Sequence, residues 1–208
     1  MSGSGKSTLI KLLLRLYDIS HGRILINGKS ISTFSTSHLR NSIVLTPQET
    51  SLFNRTIFEN IRYGKKDASY EEVIKVATEA GCHNFIMKLS NKYETIIGNN
   101  GTLLSGGQKQ LIMIARSLLK QAEIFIFDES IASIDHVTSR NVLNILDKHT
   151  KNQTTIIITH QLSSITNVDN IIVMQNGEVY ETGTHVELLK NRSLYYELWR
   201  EEFAKQRN

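Results

Sequence analysis

Met1-Ser2-Gly3-Ser4-Gly5-Lys6-Ser7-Thr8 opens the chain and matches the end of the pattern G-x-x-x-x-G-K-[ST]. Backbone N–H groups of such a turn converge on a phosphate, the lysine reaches the outer phosphates, and the hydroxyl after it binds Mg²⁺. Ser2, Gly3, Ser4, Gly5, Lys6, Ser7 and Thr8 are therefore candidate nucleotide-binding residues, and Ser7 is a candidate metal ligand. A flexible Gly/Ser tail has the same composition, but the residues after the loop argue against a tail. Leu9-Ile10-Lys11-Leu12-Leu13-Leu14-Arg15-Leu16 is a nearly continuous apolar run of strong helix formers, which predicts a buried helix over 7–16 starting at the loop. The first Gly of the pattern, and the strand from which such a loop hangs, would both precede Met1.

Four more stretches point the same way, three of them to one design. Glu123-Ile124-Phe125-Ile126-Phe127-Asp128-Glu129 is an apolar run ending in two carboxylates, the pattern of a buried parallel strand that delivers acids at its C-terminal edge. Thr154-Thr155-Ile156-Ile157-Ile158-Thr159-His160 ends in a histidine, and Val44-Leu45-Thr46-Pro47-Gln48 ends in a glutamine. Leu104-Ser105-Gly106-Gly107-Gln108 is a five-residue string whose chance match is rarer than ~1 in 10⁵ per position at ordinary residue frequencies. In order and spacing these stretches resemble the Walker A, Q-loop, signature, Walker B and H-loop of an ATP-binding-cassette (ABC) ATPase, and the resemblance covers the chain to about residue 200.

Composition sets limits consistent with this. With 208 residues and 40% apolar content, the chain suits one domain, or one with a subdomain, and can fill a core. Its single cysteine, Cys82, excludes an internal disulfide framework and is compatible with a reducing compartment. The net charge of +4 is small and the basic residues are scattered, so no nucleic-acid partner is expected. No apolar stretch approaches the ~20 residues that cross a bilayer, and no cleavable signal is visible.

The alternation of patterns predicts an α/β architecture: a mainly parallel sheet covered by helices. Strands are expected at Gly22–Gly28, 43–46, 123–127, 154–159, 170–174 and 178–181. Helices are expected at Thr56–Tyr63, Tyr70–Ala80, Asn84–Leu89, about 136–148, 184–190 and 194–205. In the helix after the signature, Leu111, Ile114, Ala115 and Leu118 fall on one face. The resemblance implies a P-loop NTPase (RecA-like) core over about 1–50 and 119–208, with the family's helical subdomain inserted over about 51–118. It also places upstream strands and a transmembrane domain outside the chain. A polypeptide of these residues alone is then expected to bind ATP weakly and to aggregate, because the missing strand is central.

The resemblance also implies a mechanism, with ATP and Mg²⁺ as cofactors. Lys6 neutralises phosphate charge, while Ser7, Gln48 and, through water, Asp128 hold the metal. Glu129 is the implied general base, Gln48 contacts the metal or the attacking water, and His160 holds the γ-phosphate. Ser105, Gly106 and Gly107 begin a helix whose free N–H groups favour an anion. In this family that anion is the γ-phosphate held by a second nucleotide-binding domain. A head-to-tail dimer is implied, identical or heterodimeric, with Leu104 to Gln108 contacting ATP in trans. Asp135 matches the D-loop, although Ala132 and Ser133 are swapped relative to the usual Ser-Ala-Leu-Asp.

Ser51 to Gly64 resembles the segment after the Q-loop in exporters, most closely mitochondrial half transporters linked to iron–sulfur export. That implies a transmembrane domain in the same full-length protein and a mitochondrial, or mitochondrion-derived, inner membrane. Asn99 and Asn100 stand where exporters usually carry Glu and Arg before the signature, and Leu111 replaces a common Arg. These departures bear on coupling to the membrane domain more than on ATP binding. Two other readings stay open: a soluble ABC ATPase acting on ribosomes or DNA, and a non-catalytic fragment of a transporter.

Overall fold

The computed structural model of the protein describes residues 4–131 and 136–205. In chain order the elements are α1 (Lys6–Leu13), β1 (Leu25–Ile26), β2 (Lys29–Ser30), α2 (Thr36–Ser42), β3 (Ile43–Thr46), α3 (Ile57–Arg62), α4 (Tyr70–Glu79), α5 (His83–Ile86) and α6 (Gly106–Leu119). They continue with β4 (Ile124–Asp128), α7 (His136–His149), β5 (Thr154–Ile158), β6 (Ile171–Gln175), β7 (Glu178–Gly183), α8 (His185–Asn191) and α9 (Leu194–Lys205). The chain divides into two compact units, Met1–Leu39 with Thr159–Asn208, and Arg40–Ile158.

The second unit is built on a parallel sheet in the order β3-β4-β5. Register runs from Ile43 opposite Ile124 to Thr46 opposite Phe127, and β4 pairs onward with β5 from Ile124–Thr154 to Asp128–Ile158. β-Branched and aromatic side chains dominate all three strands, as a pleated, covered surface favours. In the central strand Phe125, Ile126 and Phe127 are fully buried, so both of its faces are covered. The helices of this unit share the same core: Ile57 and Ile61 of α3, Val73 and Ala77 of α4, Ile86 of α5, and Ile112, Ile114 and Ala115 of α6 are all buried.

Local sequence starts these helices. Thr56 with Glu59, Ser69 with Glu72, and Ser105 with Gln108 form reciprocal capping boxes at α3, α4 and α6. Each satisfies two orphan N–H groups, and losing such a cap costs about 1 kcal/mol. The start of α3 is also tied to the segment before the signature. Ile57 N–H donates to Thr95 O at 3.0 Å and Ile97 N–H to Arg55 O at 3.2 Å. Two polar groups inside this core are inert. Burial pushes the Cys82 thiol up to about 12, and Tyr93, its phenol also pushed up by burial, meets His83 Nδ1 at 2.8 Å.

In the first unit, the stretch expected as one strand over Gly22–Gly28 is a hairpin instead. β1 and β2 are two residues each and pair antiparallel across Asn27-Gly28. Both turn residues have positive φ, 49° and 77°, the geometry of a two-residue type I′ turn. Asn176-Gly177, with φ 52° and 83°, joins β6 to β7 in the same way. Helix α1 is shorter than the apolar run suggests. Arg15 takes φ 48° and its Nη1 donates to Phe34 O at 2.7 Å, which ends the helix after Leu13. It is also less buried, since Leu9 is 40% exposed while Ile10 is buried. Helix α2 has no counterpart among the expected elements; Ser35 Oγ accepts from His38 N–H at 3.1 Å at its start. Helix α5 covers one turn of the stretch expected over Asn84–Leu89.

Gly64 shows how closely α3 and α6 pack. A Cβ there would collide with the main-chain carbonyl oxygen of Arg116 and lie 3.4 Å from Leu119 Cβ. Because the obstacle is backbone, the helices must separate. Gly64→Ala is expected to cost about 3 kcal/mol, the upper end of ordinary overpacking. Gly81→Ala, at positive φ but facing open space, should cost less, about 1–2 kcal/mol. Urea unfolding of both variants checks this, and equal midpoints would contradict the packing argument.

Candidate functional site

Lys6 is the first residue of α1 and is preceded by Gly5 at φ 94°. That left-handed conformation suits glycine, and the approach is close as well: a Cβ on Gly5 would sit 3.3 Å from Gly177 Cα in the β6–β7 turn. Ser4 is buried, and its hydroxyl accepts from Lys6 Nζ at 2.8 Å. Ser7 and Thr8 are exposed in the first turn. No acidic residue occupies that turn, so a lysine stands at the positive end of the helix dipole. This arrangement favours an anion. Ser2 and Gly3 lie outside the described residues.

His160 belongs to the same unit, two residues past the end of β5, and is exposed. The turn after it is held from α9. Glu202 accepts from Leu162 N–H at 2.6 Å, from Ser163 N–H at 3.1 Å and from the Ser163 hydroxyl at 2.6 Å. Sequence reading missed Glu202, because a carboxylate forty residues from its partners leaves no local signal.

The second unit carries Gln48, Asp128 and Glu129. Asp128 ends β4, and Glu129 comes next with φ 48°, its N–H donating to Ile158 O at 2.8 Å. A left-handed non-glycine residue costs about 1–2 kcal/mol, and such strain collects where a side chain must be aimed. Here the glutamate is aimed at Gln48: Nε2 of Gln48 donates to Glu129 Oε2 at 2.7 Å. Two residues read from separate strand ends are therefore in direct contact, brought together by parallel pairing of β3 with β4.

The signature heads α6. Leu104 is buried, and Ser105 is the N-cap, its hydroxyl accepting from Gln108 N–H at 3.3 Å while Gln108 Oε1 accepts from Ser105 N–H at 3.0 Å. Gly106 and Gly107 differ from the other glycines among the described residues. Both have ordinary negative φ, and a Cβ on either meets nothing within 4 Å. Among the described residues neither conformation nor packing explains them, and the helix N-terminus is open to a close approach. Asp135, with Ala132 and Ser133, lies outside the described residues. Asn99 and Asn100 form an exposed 3₁₀ turn in which Asn100 takes φ 50°.

Comparison with known proteins gives the family. A model of the ABC transporter family matches residues 1–132. The chain belongs to that family. It is 45% identical over 199 residues to YgaD of Bacillus subtilis (strain 168), a protein named for multidrug export as an ATP-binding/permease protein, covering 96% of the chain and 34% of the relative. An ATP-dependent lipid A-core flippase of Syntrophus aciditrophicus (strain SB) is 45% identical over 203 residues, covering 98% and 34%. A solved bacterial Atm1-family ABC exporter with ATP bound superposes at a TM-score of 0.94 with 40% identity, over 97% of this chain and 36% of that one. The chain thus spans about a third of the length of these relatives, and its fold is that of an ABC ATP-binding domain of exporter type. Among the described residues no helix is long and apolar enough to cross a membrane.

The signature glycines generate a separable prediction. Gly106→Ala faces open space in the first turn of a helix, where alanine is the better helix former, so the unfolding free energy of the domain should stay level or rise, by up to about 1 kcal/mol. ATP turnover of the full-length protein should nevertheless fall by about tenfold or more, if an anion approaches those N–H groups. Unchanged turnover would leave the glycine without a functional reason.

Proposed function

We propose that this chain binds and hydrolyses Mg-ATP to drive transmembrane export. The observation that carries the proposal is the Gln48–Glu129 contact at the end of the buried β4 strand, in a chain of the ABC transporter family. Glu129 is the general base that takes the proton of the attacking water. Gln48 orients that water or the metal, and His160 holds the γ-phosphate. Ser2 to Thr8 wrap the phosphates, with Lys6 offsetting their charge.

The oxygen donors of Ser7, Gln48 and Asp128 suit a hard cation such as Mg²⁺. Among the described residues no cluster of three or more His, Cys, Asp or Glu could cage a metal alone. That fits an ion which keeps water and phosphate oxygens among its ligands. When bound, Mg²⁺ supplies charge neutralisation at the β/γ-phosphates. The protein's own task is then to hold Glu129 aimed, which its strained backbone and the Gln48 amide both serve.

Several partners belong to the proposal. A second nucleotide-binding domain, identical or not, presents its ATP to Ser105, Gly106 and Gly107, and Asp135 joins the two sites. A transmembrane domain in the same full-length protein uses the work, as the export and permease names of the relatives suggest. The helical subdomain over about 51–118, inserted between core segments 1–50 and 119–208, is the part that meets it. The domain is held at a membrane on its ATP-supplied side. The relatives cited are bacterial, so the mitochondrial placement expected from the sequence gains no support from them.

Two variants of the full-length protein test the roles. Glu129→Gln keeps shape and removes the base, so turnover should fall ~10²–10⁴-fold while ATP-dependent dimerisation persists. Retained steady-state hydrolysis would overturn the assignment. Lys6→Ala should raise the ATP dissociation constant about tenfold or more, from the loss of a charge-assisted contact. Equilibrium titration with a fluorescent ATP analogue reads this, and an unchanged affinity would count against the loop.

A further inference from the structure

Arg116 lies in the third turn of α6, away from every sequence motif, yet its guanidinium holds the segment that leaves Gln48. Nε donates to the Asn60 carbonyl at 2.7 Å, Nη2 to Asn60 Oδ1 at 2.8 Å, and Nη1 to the Ser51 carbonyl at 3.0 Å. The rings of Phe53 and Tyr63 lie against it, with centroids 5.3 and 5.6 Å from Cζ. Asn60 is fully buried and closes the same loop. Its Oδ1 also accepts from Phe53 N–H at 2.9 Å, and its Nδ2 donates to Phe53 O and Thr56 O, both at 3.0 Å. Ser51 is three residues past Gln48, whose amide touches Glu129.

This is an unusual use of a charge. The hydrogen-bond acceptors around Arg116 are neutral, and burial pushes the guanidinium down to about 10. A half-buried cation on neutral acceptors is a poor way to gain stability, and an apolar side chain would cover Phe53 and Tyr63 as well. What arginine adds is a rigid planar fork that fixes three oxygen acceptors at once. The segment 55–57 is already tied to 95–97 by main-chain bonds, so the fork's own contribution is to Ser51 and the stretch before it. Arg116 also borders a cleft of about 360 Å³ with Tyr63, Gly64, Lys66 and Lys120, which leaves room for the fork to shift.

We propose that Arg116 is a positioning residue that ties the placement of the signature helix to the placement of Gln48 against Glu129. The proposal rests on the ATPase function proposed for the chain. Helix α6 is a continuous rod, and its open N-terminus at Gly106 lies about 15 Å from Arg116 at 1.5 Å per residue. An anion engaged at that N-terminus pulls on the whole rod. Arg116 passes the displacement to the Ser51 carbonyl, and through it to the Gln48 amide and the carboxylate that Gln48 orients.

The test is a double-mutant cycle in the full-length protein, comparing Arg116→Lys in the wild-type and Gln48→Ala backgrounds. Lysine keeps the charge and loses the fork. Turnover per folded molecule at saturating ATP should fall about tenfold with the KM for ATP changed less than about twofold. In the Gln48→Ala background, Arg116→Lys should cause no further fall, because its effect runs through Gln48. Equal losses in both backgrounds, or a loss confined to KM, would overturn the proposal. Should Arg116→Lys not fold, Phe53→Leu removes only a ring beside the fork, and the same additivity decides. A wild-type protein without Mg-ATP turnover sinks the ATPase function and this inference together, whereas additive losses with normal wild-type turnover sink only the inference.

Discussion

Parallel pairing of β3, β4 and β5 is the constraint on which the rest of the second unit depends. Parallel strands end on the same side, so the residues after each apolar run are delivered to one edge of the sheet. The register does this to the residue: Thr46 opposes Phe127, and Asp128 opposes Ile158. Gln48 and Glu129, eighty-one positions apart in sequence, come within a hydrogen bond as a result. The hydrophobic burial of Phe125, Ile126 and Phe127 makes that edge rigid, because a one-residue slip would exchange the side chains packed against its two covered faces.

Rigidity at the edge lets the next residue be strained. Glu129 occupies left-handed backbone that costs about 1–2 kcal/mol, and the anchor holding it there is its own N–H on the Ile158 carbonyl of the neighbouring strand. A loop residue without such an anchor would relax to negative φ and re-aim its carboxylate. The sheet therefore sustains a conformation that the local sequence disfavours, and the beneficiary is the contact with Gln48.

Much of this is legible in the sequence because it is written in local patterns. Apolar runs ending in polar residues mark β3, β4 and β5, and the S/T-x-x-E/Q spacing of Thr56-Glu59, Ser69-Glu72 and Ser105-Gln108 marks three helix starts. The hairpin at Asn27-Gly28 is legible in principle, since Asn-Gly is a strong type I′ signal, but Gly28 reads equally well as a strand boundary. Arg116, Asn60 and Glu202 are not legible. Each works by binding main-chain groups far along the chain or inside a loop, and main-chain carbonyls and N–H groups carry no residue identity to read. The early end of α1 has the same cause, since Arg15 reaches the carbonyls of Ile31 and Phe34.

The glycines divide along the same line between what the chain explains by itself and what it does not. Gly5 answers to backbone dihedral and to the approach of Gly177, and Gly64 to the Arg116 carbonyl; these are internal reasons. Gly106 and Gly107 have helical backbone and open space, at a position where glycine weakens a helix by roughly 0.5–1 kcal/mol relative to alanine. Among the described residues nothing compensates that weakness. The first turn of α6 has no acidic side chain to occupy its N–H groups, just as α1 has none beside Lys6. Two helix N-termini in one chain thus offer donors toward an anion, one behind a lysine and one behind bare glycine. The lysine end suits an anion held within the chain, and the glycine end one carried in on another surface, where a side chain would only be in the way.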